Sequence, residues 1–297
     1  MIYPILLLIG AAGCSVCFGA VMNKCARDKG NFNLVQGQNA GLICICSLLL
    51  AAQFSQLSHS WYDAGISLVI QGAAGVTAYY SFMLSSRAMK YGHSGLAWAL
   101  VNAGVILPVF MGMIVFGDRL TWWNILCLVI VAIGFFLIGI SKSNGGTSKG
   151  LLWLVPALGA FLLGGVSGCA NLLASYFPEL HATPMFRTAG NTLSGFFCYL
   201  LTVAMTKDLR RPGTKNEYRY IFLIFLTSCL SCYVFIYNAY DQLAKIQMAG
   251  IAPLVTVGFS VVGLIYSTLI LRKRTNVFGW SGFSLTATGC LAFMWTK

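Results

Sequence analysis

Apolar residues along this chain come in blocks of about twenty, separated by short polar stretches. Ten such blocks are read, over 3–22, 34–56, 64–86, 95–116, 122–141, 150–173, 184–206, 218–240, 249–271 and 276–296. About twenty residues of helix rise some 30 Å, the hydrocarbon thickness of a bilayer. The pattern predicts an all-α membrane protein with ten transmembrane helices. No Lys or Arg stands in Met1–Pro4 and no small-residue cleavage site follows the first block, so it is read as a retained helix rather than a signal peptide.

The longest polar break, SKSNGGTSKG at 141–150, leaves five blocks on each side. This divides the chain into a first repeat (1–141), a polar Gly/Ser/Lys linker (142–149) and a second repeat (150–297). A shift of 155 residues places Gly95-Leu96-Ala97 on Gly250-Ile251-Ala252, Arg119 on Arg274 and Gly134 on Gly289. A shift of 148 places Asn23 on Asn171. Five helices per repeat is an odd number, so the two repeats cross in opposite senses. Inverted five-helix repeats are a signature of secondary transporters.

Composition narrows the class. Of 297 residues, 58% are hydrophobic and only 9% charged, which excludes an ordinary soluble domain and a disordered chain. The net charge of +12 lies in loops between apolar blocks, where it speaks for lipid headgroups and topology rather than a nucleic-acid partner. Eleven cysteines are present, nearly all inside apolar blocks, where a thiol packs as a small hydrophobe. Cys14-x-x-Cys17 and Cys229-x-x-Cys232 have metal or redox spacing, but no His or carboxylate close in sequence completes a site. No metal and no cofactor is implied.

The block 85–139, with Pro108 in a small-residue-rich helix, the turn Gly117-Asp118-Arg119-Leu120 and the late Gly134, resembles the second part of an EamA-type repeat. The segment 239–295 resembles the same unit, with Arg272-Lys273-Arg274-Thr275 at the turn instead of Gly and an acid. EamA proteins belong to the drug/metabolite transporter superfamily. The resemblance implies two inverted five-helix repeats, a substrate cavity between them lined or gated by helices 1–4 and 6–9, alternating access, and helices 5 and 10 at the periphery.

Several residues are candidates for that cavity. Gln71 and Asn102 are amides inside predicted helices, which must bond a solute or a neighbouring helix. Tyr79 and Trp98 offer aromatic surface. Arg187 and Asn191 are four apart and share a helix face. Arg187 is read either as an anion contact or as a cation snorkelling to the interface. Tyr233, Tyr237 and Asn238 form a tyrosine-amide stripe. The repeat-matched Asn23 and Asn171 fit a pair of gates or a pair of structural caps. All seven carboxylates (Asp28, Asp63, Asp118, Glu179, Asp208, Glu217 and Asp241) fall in loops or at helix ends. A proton-coupled exporter of hydrophobic cations usually carries one in mid-membrane. Asp241 is the candidate for coupling to H⁺ or Na⁺, with an ordinary interfacial charge as the alternative.

His59, His93 and His181 are far apart in sequence, and no catalytic constellation or nucleotide-binding motif is visible. The expected function is secondary active transport of a small neutral, zwitterionic or anionic metabolite, such as an amino acid or a sugar. A passive facilitator or a lipid- or drug-handling protein is the alternative, and a membrane enzyme a less favoured one. Monomer and homodimer are both left open.

Loop charge sets the expected orientation. Fifteen Lys and Arg lie in loops after odd-numbered helices, including Lys24, Arg27, Arg87, Lys90, Arg211 and Arg272, whereas Arg119, Lys245 and Lys297 lie on the other side. The chain is expected in a bacterial inner membrane, and this bias predicts both termini outside the cytoplasm, opposite to many EamA relatives. A reporter fused to the C-terminus is expected to be active outside the cytoplasm; a cytoplasmic readout would reverse the assignment.

Overall fold

A backbone amide inside a bilayer has no water to bond, so a spanning chain must satisfy its own hydrogen bonds, and the helix does this within one segment. The computed structural model describes residues 2–28, 30–53, 61–91, 100–118, 121–140, 153–180, 182–206, 211–260 and 276–294, and these are helical apart from short turns. The helices are α1 (Ile2–Arg27), α2 (Phe32–Gln53), α3 (Trp61–Tyr91), α4 (Leu100–Val115), α5 (Trp122–Ile140), α6 (Leu154–Tyr176), α7 (Pro184–Met205), α8 (Lys215–Ala244), α9 (Ala252–Ser260) and α10 (Val277–Met294). A 3₁₀ turn, Ala103–Val105, interrupts α4, and another, Ala249–Ile251, leads into α9. Within α8 the stretch Ser231–Ile236 is a π turn.

Five of these are long and apolar enough to cross a membrane: Tyr3–Val21, Phe32–Ala52, Tyr62–Ala88, Leu154–Tyr176 and Lys215–Ala244. Their outward faces carry large apolar side chains such as Leu49, Val69 and Val155, the last two more than 70% exposed. Polar groups lie inside, among them Gln71, Asn39, Ser67, Asn124 and Arg187. A soluble protein does not display so much apolar surface. Five long apolar helices with this surface fit a multi-pass integral membrane protein.

The helices pack in a definite set of pairs. α3 lies along α6 and α7, α2 along α7 and α8, α1 along α8 and α9, and α4 along α6. α5 lies along α10, and α4 meets the start of α9. One core joins α4, α5 and α9 through Val109, Val131, Phe135 and Leu254. A second joins α1, α6 and α8 through Leu8, Leu172, Tyr237 and Leu243.

The α5–α10 crossing is set by two glycines. A Cβ on Gly134 would come within 2.8 Å of the Gly282 carbonyl oxygen on α10. One on Gly289 would stand 2.7 Å from a Val131 methyl and 3.1 Å from the Cys127 carbonyl oxygen on α5. Small residues at these points let two backbones touch, which is how helices associate where no hydrophobic force drives them together. Gly134→Leu is expected to lower the melting temperature of the purified protein, with overpacking costing about 1–3 kcal/mol. Gly13→Ala, where an added Cβ meets nothing within 4 Å, is the control and should melt like the parent.

Candidate functional site

Thr183 caps α7 by accepting a hydrogen bond from the Phe186 amide, and Pro184 occupies the first helical turn. This fixes Arg187 one turn into α7, near the positive end of the helix dipole, where a cation is poorly placed. The compensation comes from elsewhere. Arg187 is 3% exposed and reaches the last turn of α6, donating from Nη1 to Ser175 Oγ (2.8 Å) and from Nη2 to the Ala174 carbonyl (3.2 Å). It also reaches the last turns of α8, where Nη1 lies 2.9 Å from Asp241 Oδ1. Two helix C-termini and a carboxylate thus face one guanidinium. The Tyr237 ring lies beneath it, 5.5 Å from its centre to Cζ.

The pair is asymmetric. Asp241 is one-third exposed, and its Oδ1 makes a charge contact without an aligned hydrogen bond. Nε of Arg187 is buried and has no acceptor.

Amides extend this cluster. Asn171 Oδ1 accepts from Asn191 Nδ2 (2.9 Å) and from the Tyr237 hydroxyl (3.1 Å). Six residues are therefore brought together from α6, α7 and α8: Asn171, Ser175, Arg187, Asn191, Tyr237 and Asp241. Gln71 on α3 packs beside Gly190, three residues along α7 from Arg187. It is fully buried, and neither amide atom has a partner.

The other sequence candidates have different places. The tyrosine-amide stripe of α8 divides. Tyr233 bonds Ser47 on α2 (2.6 Å), Tyr237 faces α6, and Asn238 turns back on its own helix. Its Nδ2 donates to the Tyr233 and Val234 carbonyls at 2.9 Å each. Those carbonyls lie in the π turn, whose wider winding disturbs the regular bonding ladder. Asn238 thereby braces its own helix. Tyr79 donates to Thr202 Oγ1 (3.0 Å), joining α3 to α7. Asn102 is half-buried ahead of the 3₁₀ turn of α4, which its side chain does not cap. Asn23 lies in α1, but its side chain is outside what is described, as are Trp98, the linker 142–149 and the three histidines.

Sequence reasoning passed over two carboxylates that tie helices together. Gly117, at φ +67°, turns the chain after α4 and sets Asp118 inward. Asp118 Oδ2 accepts from the Tyr176 hydroxyl (2.6 Å) and from the Gly250 amide (2.8 Å), linking this turn to α6 and to the start of α9. Tyr176 also stacks on Phe116, centroids 4.0 Å apart. Near the other end of the helices, Glu217 is 1% exposed and accepts from the Asn31 amide (2.5 Å), the Thr214 amide (2.7 Å) and both Nη atoms of Arg211 (2.6 and 3.0 Å). The hydrogen bonds to Glu217 raise the pKa of Arg211. Tyr220 donates to Asp28 beside it. The spacing Thr214-x-x-Glu217 was the legible signal, a capping box.

A separate cavity of about 320 Å³ is almost wholly apolar in character. Leu100, Ile106, Phe135, Phe136, Trp153 and Leu254 are among its lining residues, and none of the six clustered residues contributes to it.

No family model matches the chain, and no curated protein matches it. Chains of solved structures do, 28 of them. A crystal structure described only as that of a protein superposes with a TM-score of 0.69 at 13% identity, over 96% of this chain and 94% of its own. At that identity the likeness is one of fold.

Glu217→Ala is expected to lower the melting temperature by at least about 5 °C, because a lost cap and lost buried hydrogen bonds each cost on the order of 1 kcal/mol. Arg211→Gln should have a smaller effect, since the Asn31 and Thr214 bonds remain. Thermal unfolding of the purified variants checks the order.

Proposed function

We propose that this chain is an EamA-type secondary active transporter that moves a small polar metabolite by alternating access. In this reading ten spans form two inverted repeats, 1–141 and 150–297. The helix pairing supports it. Exchange each helix for the one five places away, and α2–α7, α4–α9 and α5–α10 map onto themselves. α3–α6 then answers α1–α8, α3–α7 answers α2–α8, and α4–α6 answers α1–α9.

The observation that carries the functional reading is Arg187. A guanidinium buried among apolar helices is costly, and such residues inside membranes mark solute or ion pathways. Replacing a buried ion pair by packed hydrocarbon is often neutral or stabilising, so stability alone gives little reason for this one. Gln71, Asn171, Arg187, Asn191 and Tyr237 make the substrate surface, and Asp241 is the coupling candidate for H⁺ or Na⁺. The membrane is a bacterial inner membrane, and the loop charges put both termini outside the cytoplasm.

The apolar cavity favours a second reading, a passive facilitator or a protein handling lipids or drugs, because only an apolar solute gains by entering it. Reconstitution separates the two. Liposomes carrying the protein, under an imposed proton or sodium gradient, are expected to concentrate a polar solute above equilibrium and to lose that ability with ionophore. Flux that stops at equilibrium would replace active transport by facilitation, and covalent turnover of the solute would replace both by an enzyme.

A further inference from the structure

The apolar cavity opens sideways, toward the lipid. Phe135 and Leu254 form its buried floor. Ala132 and Phe136, one turn apart on α5, stand exposed at its rim. The rim continues a stripe of exposed apolar side chains along α5: Ile125, Val129, Ile133 and Phe136. In a chain that spans a bilayer, such a stripe is the surface that meets hydrocarbon. The mouth of the cavity lies on that surface.

Helix ends fix its depth. Leu100 begins α4 and Trp153 immediately precedes α6, and both line the cavity. Both also pack against Ala88, in the last turn of α3, and Ala157. One end of the cavity therefore stands where α3 and α5 end and α4 and α6 begin, at a membrane surface. From Phe136 it runs back along α5 to Leu128, a helical rise of about 12 Å. One leaflet of hydrocarbon is about 15 Å deep, so the cavity descends through most of it.

Its contents follow from its chemistry and size. An apolar cavity of this kind stays dry, and one of about 150 Å³ holds a benzene. About 320 Å³ then accommodates roughly a dozen carbon atoms. Left empty, the facing walls of α4, α5 and α9 would forfeit their dispersion contacts. A phospholipid chain has the matching chemistry, length and direction, and the bilayer supplies it at the mouth. A charge stands at the corresponding level. Arg87, exposed, directly precedes Ala88 of the cluster that includes Leu100 and Trp153. A basic residue at a membrane surface attracts anionic headgroups, and a guanidinium matches a phosphate in geometry.

We propose that this cavity is a resident site for an anionic phospholipid, with one acyl chain between α4, α5 and α9 and its phosphate at Arg87. The lipid is a structural partner and not cargo. The site shares no residue with the Arg187 cluster, so it stands whichever solute that cluster serves.

The test is quenching of tryptophan fluorescence by phosphatidylglycerol brominated along one chain, added to the detergent-purified protein. Trp153 lines the cavity, so quenching should saturate, and Trp153→Phe should remove the saturable part. Ala132→Phe, which narrows the mouth, should raise the half-saturating lipid concentration about tenfold or more. Arg87→Gln should raise it about fivefold, the effect of one basic residue at a membrane surface. Unbrominated phosphatidylglycerol should raise the melting temperature of the parent by about 4 °C or more, and that of Ala132→Phe by less. Should Ala132→Phe fail to fold, Ala103→Leu fills the cavity from α4 and takes its place. Quenching that never saturates overturns the proposal, as does quenching unchanged in Trp153→Phe or in the cavity variant. An uncharged brominated alkyl glycoside that quenches as well as the phospholipid, in parent and Arg87→Gln alike, would replace the phospholipid by any apolar occupant. Lipid moved between leaflets of liposomes carrying the parent, but not Ala132→Phe, would make it cargo and overturn the resident role.

Discussion

Arg187 carries a full charge into a bundle whose outer surface is hydrocarbon, and the arrangement of α6, α7 and α8 answers to it. Its own helix places it badly, near a positive dipole end. It is held only because α6 and α8 bring their negative ends to the same point, with Ser175, Ala174 and Asp241 as acceptors. The π turn within α8 helps determine which residues face that point. It shifts the winding ahead of Tyr237, Tyr240 and Asp241, and Asn238 stabilises it from within. A cation, a helix irregularity and an amide are therefore parts of one solution.

The same logic governs the two ends of the bundle. Asp118 fastens the turn after α4 to α6 and to the start of α9, at the end where Arg187 lies. Glu217 and Asp28 fasten the α1–α2 turn to the start of α8, at the opposite end. Each tie crosses between the two halves of the chain. A bundle that rocks must break such ties at one end while keeping those at the other. In the alternating-access reading proposed above, a carboxylate bonded to backbone amides and hydroxyls suits that role, because water can replace those partners.

Much of the fold was legible because hydropathy alone dictates it. The blocks 122–141 and 184–206 fall on Trp122–Ile140 and Pro184–Met205. The block 218–240 understates Lys215–Ala244, since its polar ends are capped or paired instead of apolar. The site was legible only where helical spacing decides contact. Arg187 and Asn191 share a face, and Asn191 does meet Asn171. Ser175, four residues after Asn171 on α6, could have been found by the same spacing. The partner of Arg187 could not, because Asp241 lies 54 positions away and only tertiary packing joins them. Tyr79, Tyr233 and Asn238 looked equally suited to a cavity, and each is bonded within the helical scaffold. Spacing shows which residues share a face, but not what stands opposite that face.

Charge in this chain is scarce, and that scarcity bears on its use. Of seven carboxylates, Asp28, Asp118, Glu217 and Asp241 each bond or pair with a residue on a distant helix or turn. Three of these contacts are met by hydroxyls, amides or a half-exposed arginine, which cost little to arrange near a membrane surface. Of these four, Asp241 alone is matched with a deeply buried cation, in a contact without an aligned hydrogen bond. A tie meant for strength would be expected in the reverse form, with aligned hydrogen bonds on a buried carboxylate, as around Glu217. The Arg187–Asp241 contact, close at 2.9 Å but without an aligned hydrogen bond at Asp241 Oδ1, stands apart from those ties.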